Sequence, residues 1–210
     1  MNIINNLKSI KENLVSLKSE AKIIVVCKNQ EIIKINDLVN HGHLDFGENK
    51  VQEAQQKWQE ILNFHKNINL HLIGKLQSNK AKQAFNIFNY IHSLDNEKLA
   101  RSFSDLENFY KRNIKYFVQV NIGEEVQKNG ISVEKLKQFI KYCVYDLKLN
   151  IIGLMCIPPL KDDPAVYFKK LAELARENNL NELSMGMSND YESAINNGST
   201  YIRIGSKIFN

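Results

Sequence analysis

The chain has 210 residues, 43% of them hydrophobic and 24% charged, with a formal net charge of +5 from 28 basic and 23 acidic side chains. This suffices for one sizeable core and lies in the range of α/β barrels that fold as one domain, so residues 1–210 are read as a single domain. The basic residues are spread over helix-like stretches with no basic block interleaved with aromatics, which argues against nucleic acid as a partner.

In chain order, "MNIINNLKSIKENLVSLKSE" comes first. Ile3, Leu7, Ile10, Leu14 and Leu17 recur at helical spacing, and Lys8, Lys11 and Glu12 interrupt any apolar core. Residues 1–20 are therefore an extra N-terminal helix that plugs or flanks the bottom of the fold, not a signal peptide. No stretch approaches the ~20 apolar residues of a membrane span. Cys27, Cys143 and Cys156 are an odd number with no close-spaced pair, which predicts reduced thiols and no metal site. Together these features predict a cytoplasmic protein with no membrane partner.

Eight short apolar runs follow, at residues 22–28, 44–49, 70–76, 90–94, 116–122, 151–157, 183–188 and 201–209, with helical patterns between them. Several lack clean alternation, as expected of parallel strands buried on both faces. Asp163 before Pro164 predicts a helix N-cap, and Ser78, Asp95, Ser132 and Asn49 are further cap candidates. An open doubly wound sheet and a closed (β/α)8 barrel both accommodate this order. The count and even spacing favour closure, hence a TIM barrel whose site lies at the C-terminal strand ends.

Lys28 ends "IIVVCK" at such a position. One reading is a strand-end lysine in solvent. The other is a partly desolvated amine, whose charged form is disfavoured and which can condense with an aldehyde. At the far end of the chain, Ser188 closes the seventh run before "NDYESAINN", where it could cap a helix and leave N–H groups for an anion. Gly205 and Ser206 follow the first half of the eighth run, where a phosphate is often held in barrels. Asp190 counts against an anion unless its carboxylate turns away. Arg203, two residues before Gly205, points into the mouth and needs a partner: a carboxylate such as Glu48, or a ring nitrogen of a ligand. A Schiff-base lysine, a phosphate cradle and such an arginine together describe a pyridoxal 5'-phosphate site. His71 and His92 read as core histidines, Trp58 as packing against the barrel, and of Met185 and Met187 one faces the ligand and one a helix.

The blocks "VVCKNQ", "DFGENKVQEAQQK", "HLIGKLQSNKAK", "QVNIGEEVQKNG", "IIGLMCIPP" and "LSMGMSNDYESAINNGSTYIRIGSKIF" resemble, in order over nearly the whole chain, the YggS/PROSC family of pyridoxal phosphate-binding proteins. The resemblance implies a barrel like the N-terminal domain of alanine racemase, and a monomer. It implies that Lys28 holds the cofactor as a Schiff base and that Ser188, Gly205 and Ser206 hold its phosphate. Arg203 would face the pyridine nitrogen and Asn49 would line the site. The chain departs from the family pattern at Cys27, where serine is common, and at Lys75, where proline is frequent.

An arginine opposite the pyridine nitrogen weakens the cofactor's electron sink, and alanine racemase adds a tyrosine from another domain as a second acid/base. Here Asn210 follows directly on the eighth run and no tyrosine is placed at the mouth, so no catalytic residue is assigned. The expectation is a carrier in homeostasis of the cofactor and of amino and keto acids. Two alternatives are a weak amino-acid racemase and a phosphosugar aldolase using Asp45 or Glu48.

Overall fold

The computed structural model describes residues 2–125 and 127–210. Eight strands hydrogen-bond in sequence order, β1 through β8, and β8 pairs back onto β1, so the sheet is a closed, wholly parallel barrel. They are β1 Lys22–Val26, β2 Asp45–Glu48, β3 Asn69–Leu72, β4 Tyr90–Leu94, β5 Lys115–Gln119, β6 Ile151–Met155, β7 Glu182–Met187 and β8 Tyr201–Ile204. Each of the eight runs expected from sequence overlaps one strand, although several strands end earlier than the run.

The helices between them are α2 Ile32–Asn40, α3 Val51–Phe64, α4 Ala81–Ile87, α5 Glu97–Tyr110, α6 Val133–Lys141, α7 Pro164–Glu177 and α8 Tyr191–Asn196, with α1 Ile3–Ser16 before β1. After β8 the chain turns at once into a one-turn helix, α9 Ser206–Phe209, where the apolar pattern suggested a continuing strand. Ile208 and Phe209 pack on the barrel from that helix, which satisfies the same apolar pattern with a different backbone. Helix α1 flanks the barrel. It buries Ile3, Leu7, Ile10 and Leu14, and Asn6 donates to the Ile208 carbonyl at 2.9 Å while Asn13 donates to the Tyr191 hydroxyl at 2.6 Å.

Apolar side chains fall into two bodies. The larger lies between barrel and helices and includes Phe46, Trp58, Phe85, Phe103 and Phe168, which are among the largest fully buried side chains. The smaller fills the barrel interior with Ile24, Tyr90, Phe117, Met155 and Tyr201, so the cylinder is packed.

Helix starts were partly misassigned from sequence. Asp163 caps α7 as expected, accepting from Ala165 N at 3.0 Å. For α5 the capping oxygen comes from Asn96 and not Asp95, accepting from Leu99 N at 2.9 Å. Asn49 does not cap α3, whose cap position is Lys50; Ser78 opens a short 3-10 turn, and Ser132 sits at the cap of α6 without a side-chain bond. Among the described residues no helix is long and apolar enough to cross a membrane.

Candidate functional site

A cavity of about 600 Å³ opens at the C-terminal strand ends, a size usual for small-molecule sites. Its wall includes Val26, Asn49, Ile73, Met187, Ser188, Arg203, Gly205 and Ser206, with Ile157 to Leu160 from the β6–α7 loop forming an apolar side. Five of the six site residues expected from sequence thus meet in one place. Of the two methionines, Met187 faces this cavity and Met185 is buried in the layer beneath the helices.

Ser188 does not cap α8. The cap position is Asp190, and its carboxylate turns back to accept from Met187 N at 2.6 Å. Ser188, freed from that task, is buried and accepts from Lys207 N of α9 at 3.3 Å, so the β7–α8 and β8–α9 loops are joined beside the cavity. The hydrogen of the Ser188 hydroxyl and the N–H of Ser206 have no protein acceptor among the described residues.

Gly205 is informative because nothing in the protein demands glycine there. Its φ is −119°, and an added Cβ would meet nothing closer than Val26 Cβ at 3.4 Å. The volume a side chain would take is cavity. Gly74 is the opposite case: an added Cβ would lie 2.2 Å from the Asn49 carbonyl oxygen, so glycine lets β3's end run against the strand end that presents Asn49.

Arg203 is 4% exposed and its terminal nitrogens donate to Ser184 Oγ at 2.8 Å and to the Cys156 carbonyl at 3.0 Å. Glu48 is not its partner. By alternation from Asn49 and Gly47, Glu48 faces out of the barrel, where it pairs with Lys57 Nζ at 2.8 Å and accepts from Trp58 Nε1 at 3.0 Å. Burial pulls Arg203 down, yet a guanidinium remains a cation. No carboxylate forms an ion pair with it among the described residues; its direct bonds go to neutral dipoles, and the nearby charge of Asp190, which also lines the cavity, favours the cation from a distance.

Lys28 lies at the rim, two residues beyond β1, and is exposed; it does not line the cavity as it stands. Of the two readings of Lys28, the exposed side chain matches the strand-end lysine in solvent and not the partly desolvated amine. The reason is local. Strand β1 ends at Val26, Gln30 N donates to the Cys27 carbonyl at 3.1 Å, and Asn29 takes a left-handed φ of 57°, so a turn carries Lys28 out of the strand.

That turn is gripped from behind by residues that sequence reasoning missed. Lys57 Nζ donates to the Cys27 carbonyl at 2.6 Å and also pairs with Glu53 at 2.9 Å; Glu53 Oε1 in turn accepts from Asn29 N at 2.8 Å. Backbone atoms on both sides of Lys28 are thus fixed while its side chain stays outside the network. Burial pushes the Glu48 carboxyl up despite Lys57 and Trp58, and burial also pushes the Cys27 thiol up. The signal available in the sequence was the i,i+4 spacing of Glu53 and Lys57 on the helix after "FGEN". All three cysteines are buried and unpaired, and among the described residues no group of three or more His, Cys, Asp or Glu is arranged to hold a metal.

Comparison with known proteins places the chain in a family. Residues 2–210 match the alanine racemase N-terminal domain family. A pyridoxal phosphate homeostasis protein of Aquifex aeolicus is 37% identical over 200 residues, covering 90% of this chain and 86% of the relative. The structure of PipY from Synechococcus elongatus with pyridoxal phosphate bound superposes with a TM-score of 0.89 at 32% identity, covering all of both chains. Alanine racemase of Corynebacterium glutamicum, at 14% identity and a TM-score of 0.73 over 99% of this chain and 60% of its own, shares the fold. The chain therefore belongs to the pyridoxal phosphate homeostasis protein family, built on the alanine racemase N-terminal domain.

Proposed function

We propose that residues 1–210 form a single domain that holds pyridoxal 5'-phosphate reversibly and serves homeostasis of that cofactor and of amino and keto acids. The observation that carries this is the convergence of Arg203, Ser188, Gly205, Ser206 and Asn49 on one cavity of cofactor size. The names of the relatives and the cofactor seen in PipY support the same reading.

The residues present fit the group. When bound, it supplies an aldehyde that condenses with a primary amine, releasing one water, in a step that hydrolysis reverses. Ser188 offers a hydroxyl hydrogen and Ser206 a hydroxyl and a backbone N–H, all donors suited to phosphate oxygens. The bare backbone at Gly205 leaves room for those oxygens. Arg203 donates only, so it favours an unprotonated ring nitrogen. Lys28 supplies the amine, reached by turning its side chain inward from the rim while Lys57 and Glu53 hold its backbone. An exposed lysine on a fixed turn suits exchange, since the amine can return to water when the cofactor leaves.

Among the described residues the cavity wall holds no tyrosine or histidine, and its two carboxylates are engaged elsewhere, Asp162 by the Tyr167 hydroxyl and Asp190 by Met187 N; carriage is the reading proposed, with catalysis left to the test below. The test is borohydride reduction of the protein incubated with pyridoxal 5'-phosphate, followed by peptide mass spectrometry. The expected adduct is on Lys28, and an adduct elsewhere, or none, refutes the assignment. The racemase alternative predicts exchange of the alanine α-proton in heavy water, and absence of exchange removes it.

A further inference from the structure

The barrel interior carries a line of polar side chains that the cavity does not account for. His71 Nε2 lies 3.1 Å from Asp45 Oδ1, His71 Nδ1 is 3.0 Å from His92 Nε2, and His92 Nδ1 is 2.8 Å from Ser184 Oγ. Ser184 Oγ accepts from Arg203 Nη1 at 2.8 Å. Asp45 begins β2 at the closed end of the barrel and Arg203 stands at the mouth, so the line runs the length of the interior. Its walls are apolar faces: His71 stacks on Tyr90 at 4.2 Å and His92 on Phe117 at 4.3 Å.

The sense of every bond follows from what each group can donate. Burial holds both histidines below their ordinary range, His92 also through its neighbours His71 and Arg203, so both rings are neutral. Burial alone would raise Asp45, but its bonds to His71 and Asn69 win and hold its carboxyl low and ionised. An ionised carboxylate only accepts, so His71 carries its proton on Nε2 and accepts at Nδ1. His92 must then carry its proton on Nε2, leaving Nδ1 to accept from the Ser184 hydroxyl, whose oxygen accepts from the guanidinium. With neutral rings no other assignment satisfies all four contacts. Reversal requires an extra proton on His71 and leaves the Ser184 hydrogen with no acceptor among the described residues. Lys22 and Lys115, at the closed end, donate to the Tyr201 and Tyr90 hydroxyls at 3.2 and 3.1 Å and add positive charge that resists such a proton.

We propose that Asp45, His71, His92 and Ser184 form a one-way hydrogen-bond relay that fixes the Arg203 guanidinium at the cavity from the opposite end of the barrel. The four are positioning residues for the heteroaromatic nitrogen that Arg203 meets, and bonds aligned in one sense reinforce one another in a dry interior. The relay is a property of the bare protein; its consequence for the ligand rests on the function proposed above.

Two measurements test it. Long-range 1H–15N correlation spectra of histidine-labelled protein without ligand should show His71 and His92 both as the Nε2–H tautomer at pH 7. An Nδ1–H tautomer or an imidazolium in either ring overturns the relay. Absorbance titration with pyridoxal 5'-phosphate should show Asp45→Ala binding about 3- to 30-fold more weakly, with Asp45→Asn, which keeps an acceptor, restoring most of the loss. Ser184→Ala should show a similar loss and serves if Asp45→Ala does not fold. Unchanged affinity in the folded alanine variants overturns the positioning role. Wild-type protein that takes up no ligand refutes the function and leaves the tautomers to decide the relay.

Discussion

Lys57→Met removes the ammonium behind the Lys28 turn while keeping most of the stem's packing volume. Lys57 is 13% exposed and Glu48 fully buried, so the change leaves a carboxylate with Trp58 Nε1 as its one donor. Removing one partner of a buried pair costs about 3–5 kcal/mol, and the residual exposure of Lys57 favours the lower end. The lost bond to the Cys27 carbonyl adds about 1 kcal/mol.

Glu48 can limit the cost by taking up a proton. From an unfolded value of 4.5, neutralising it costs roughly 0.7 kcal/mol at pH 5 and roughly 4.8 kcal/mol at pH 8. A carboxyl whose folded pKa is raised binds protons better in the folded state, so stability falls as pH rises from 4.5 toward the folded value. The expected loss is therefore about 4 kcal/mol at pH 8 and about 2 kcal/mol at pH 5. Urea unfolding followed by the fluorescence of Trp58, the single tryptophan, reads both. A loss under about 1 kcal/mol at pH 8, or the same loss at both pH values, would refute the buried-pair account. Adding Glu48→Gln to the variant should recover most of the deficit.

Gly205→Ala should leave urea stability within about 0.5 kcal/mol of wild type, because its backbone and neighbours accept a Cβ. The same change should weaken pyridoxal 5'-phosphate binding by an order of magnitude or more, and equal affinity in a folded variant would remove Gly205 from the site. Gly74→Ala is the converse: with a Cβ 2.2 Å from the Asn49 carbonyl oxygen, strand ends must separate, at about 1–3 kcal/mol by thermal unfolding. Burial raises the Cys143 and Cys156 thiols to about 12 and pushes Cys27 up as well. A thiol reagent should thus find almost no reactive cysteine in native protein and all three after unfolding.

The barrel was legible because its signal is repeated. Eight apolar runs with helical patterns between them survive errors of a few residues, and Asp163–Pro164 marked its helix start correctly. That Ser188, Gly205, Ser206, Asn49 and Arg203 would meet at the mouth followed from strand-end position once closure was assumed. Partners were harder to see. Asn96 outcompetes Asp95, and Lys50 displaces Asn49, because the cap is whichever residue is the last to keep the extended backbone before the helix. Glu48 was offered to Arg203, though period-2 alternation with Asn49 already placed it on the opposite face. The choice between a solvent-reaching and a partly desolvated Lys28 stayed open because a turn with a left-handed Asn29 leaves no mark in an apolar pattern. The interior chain from Asp45 to Arg203 joins five different strands, and such contacts depend on barrel register, which no local window contains.

The bonds from Asn6 to the Ile208 carbonyl and from Asn13 to Tyr191 have a consequence for the whole molecule. They let the opening helix brace, from outside, the two loops that present Ser188 and Ser206. The first segment of the chain and the last thereby secure the mouth of the cylinder together. Loosening residues 3–16 would be felt at the loops that carry Ser188 and Ser206 although none of those residues touches the cavity.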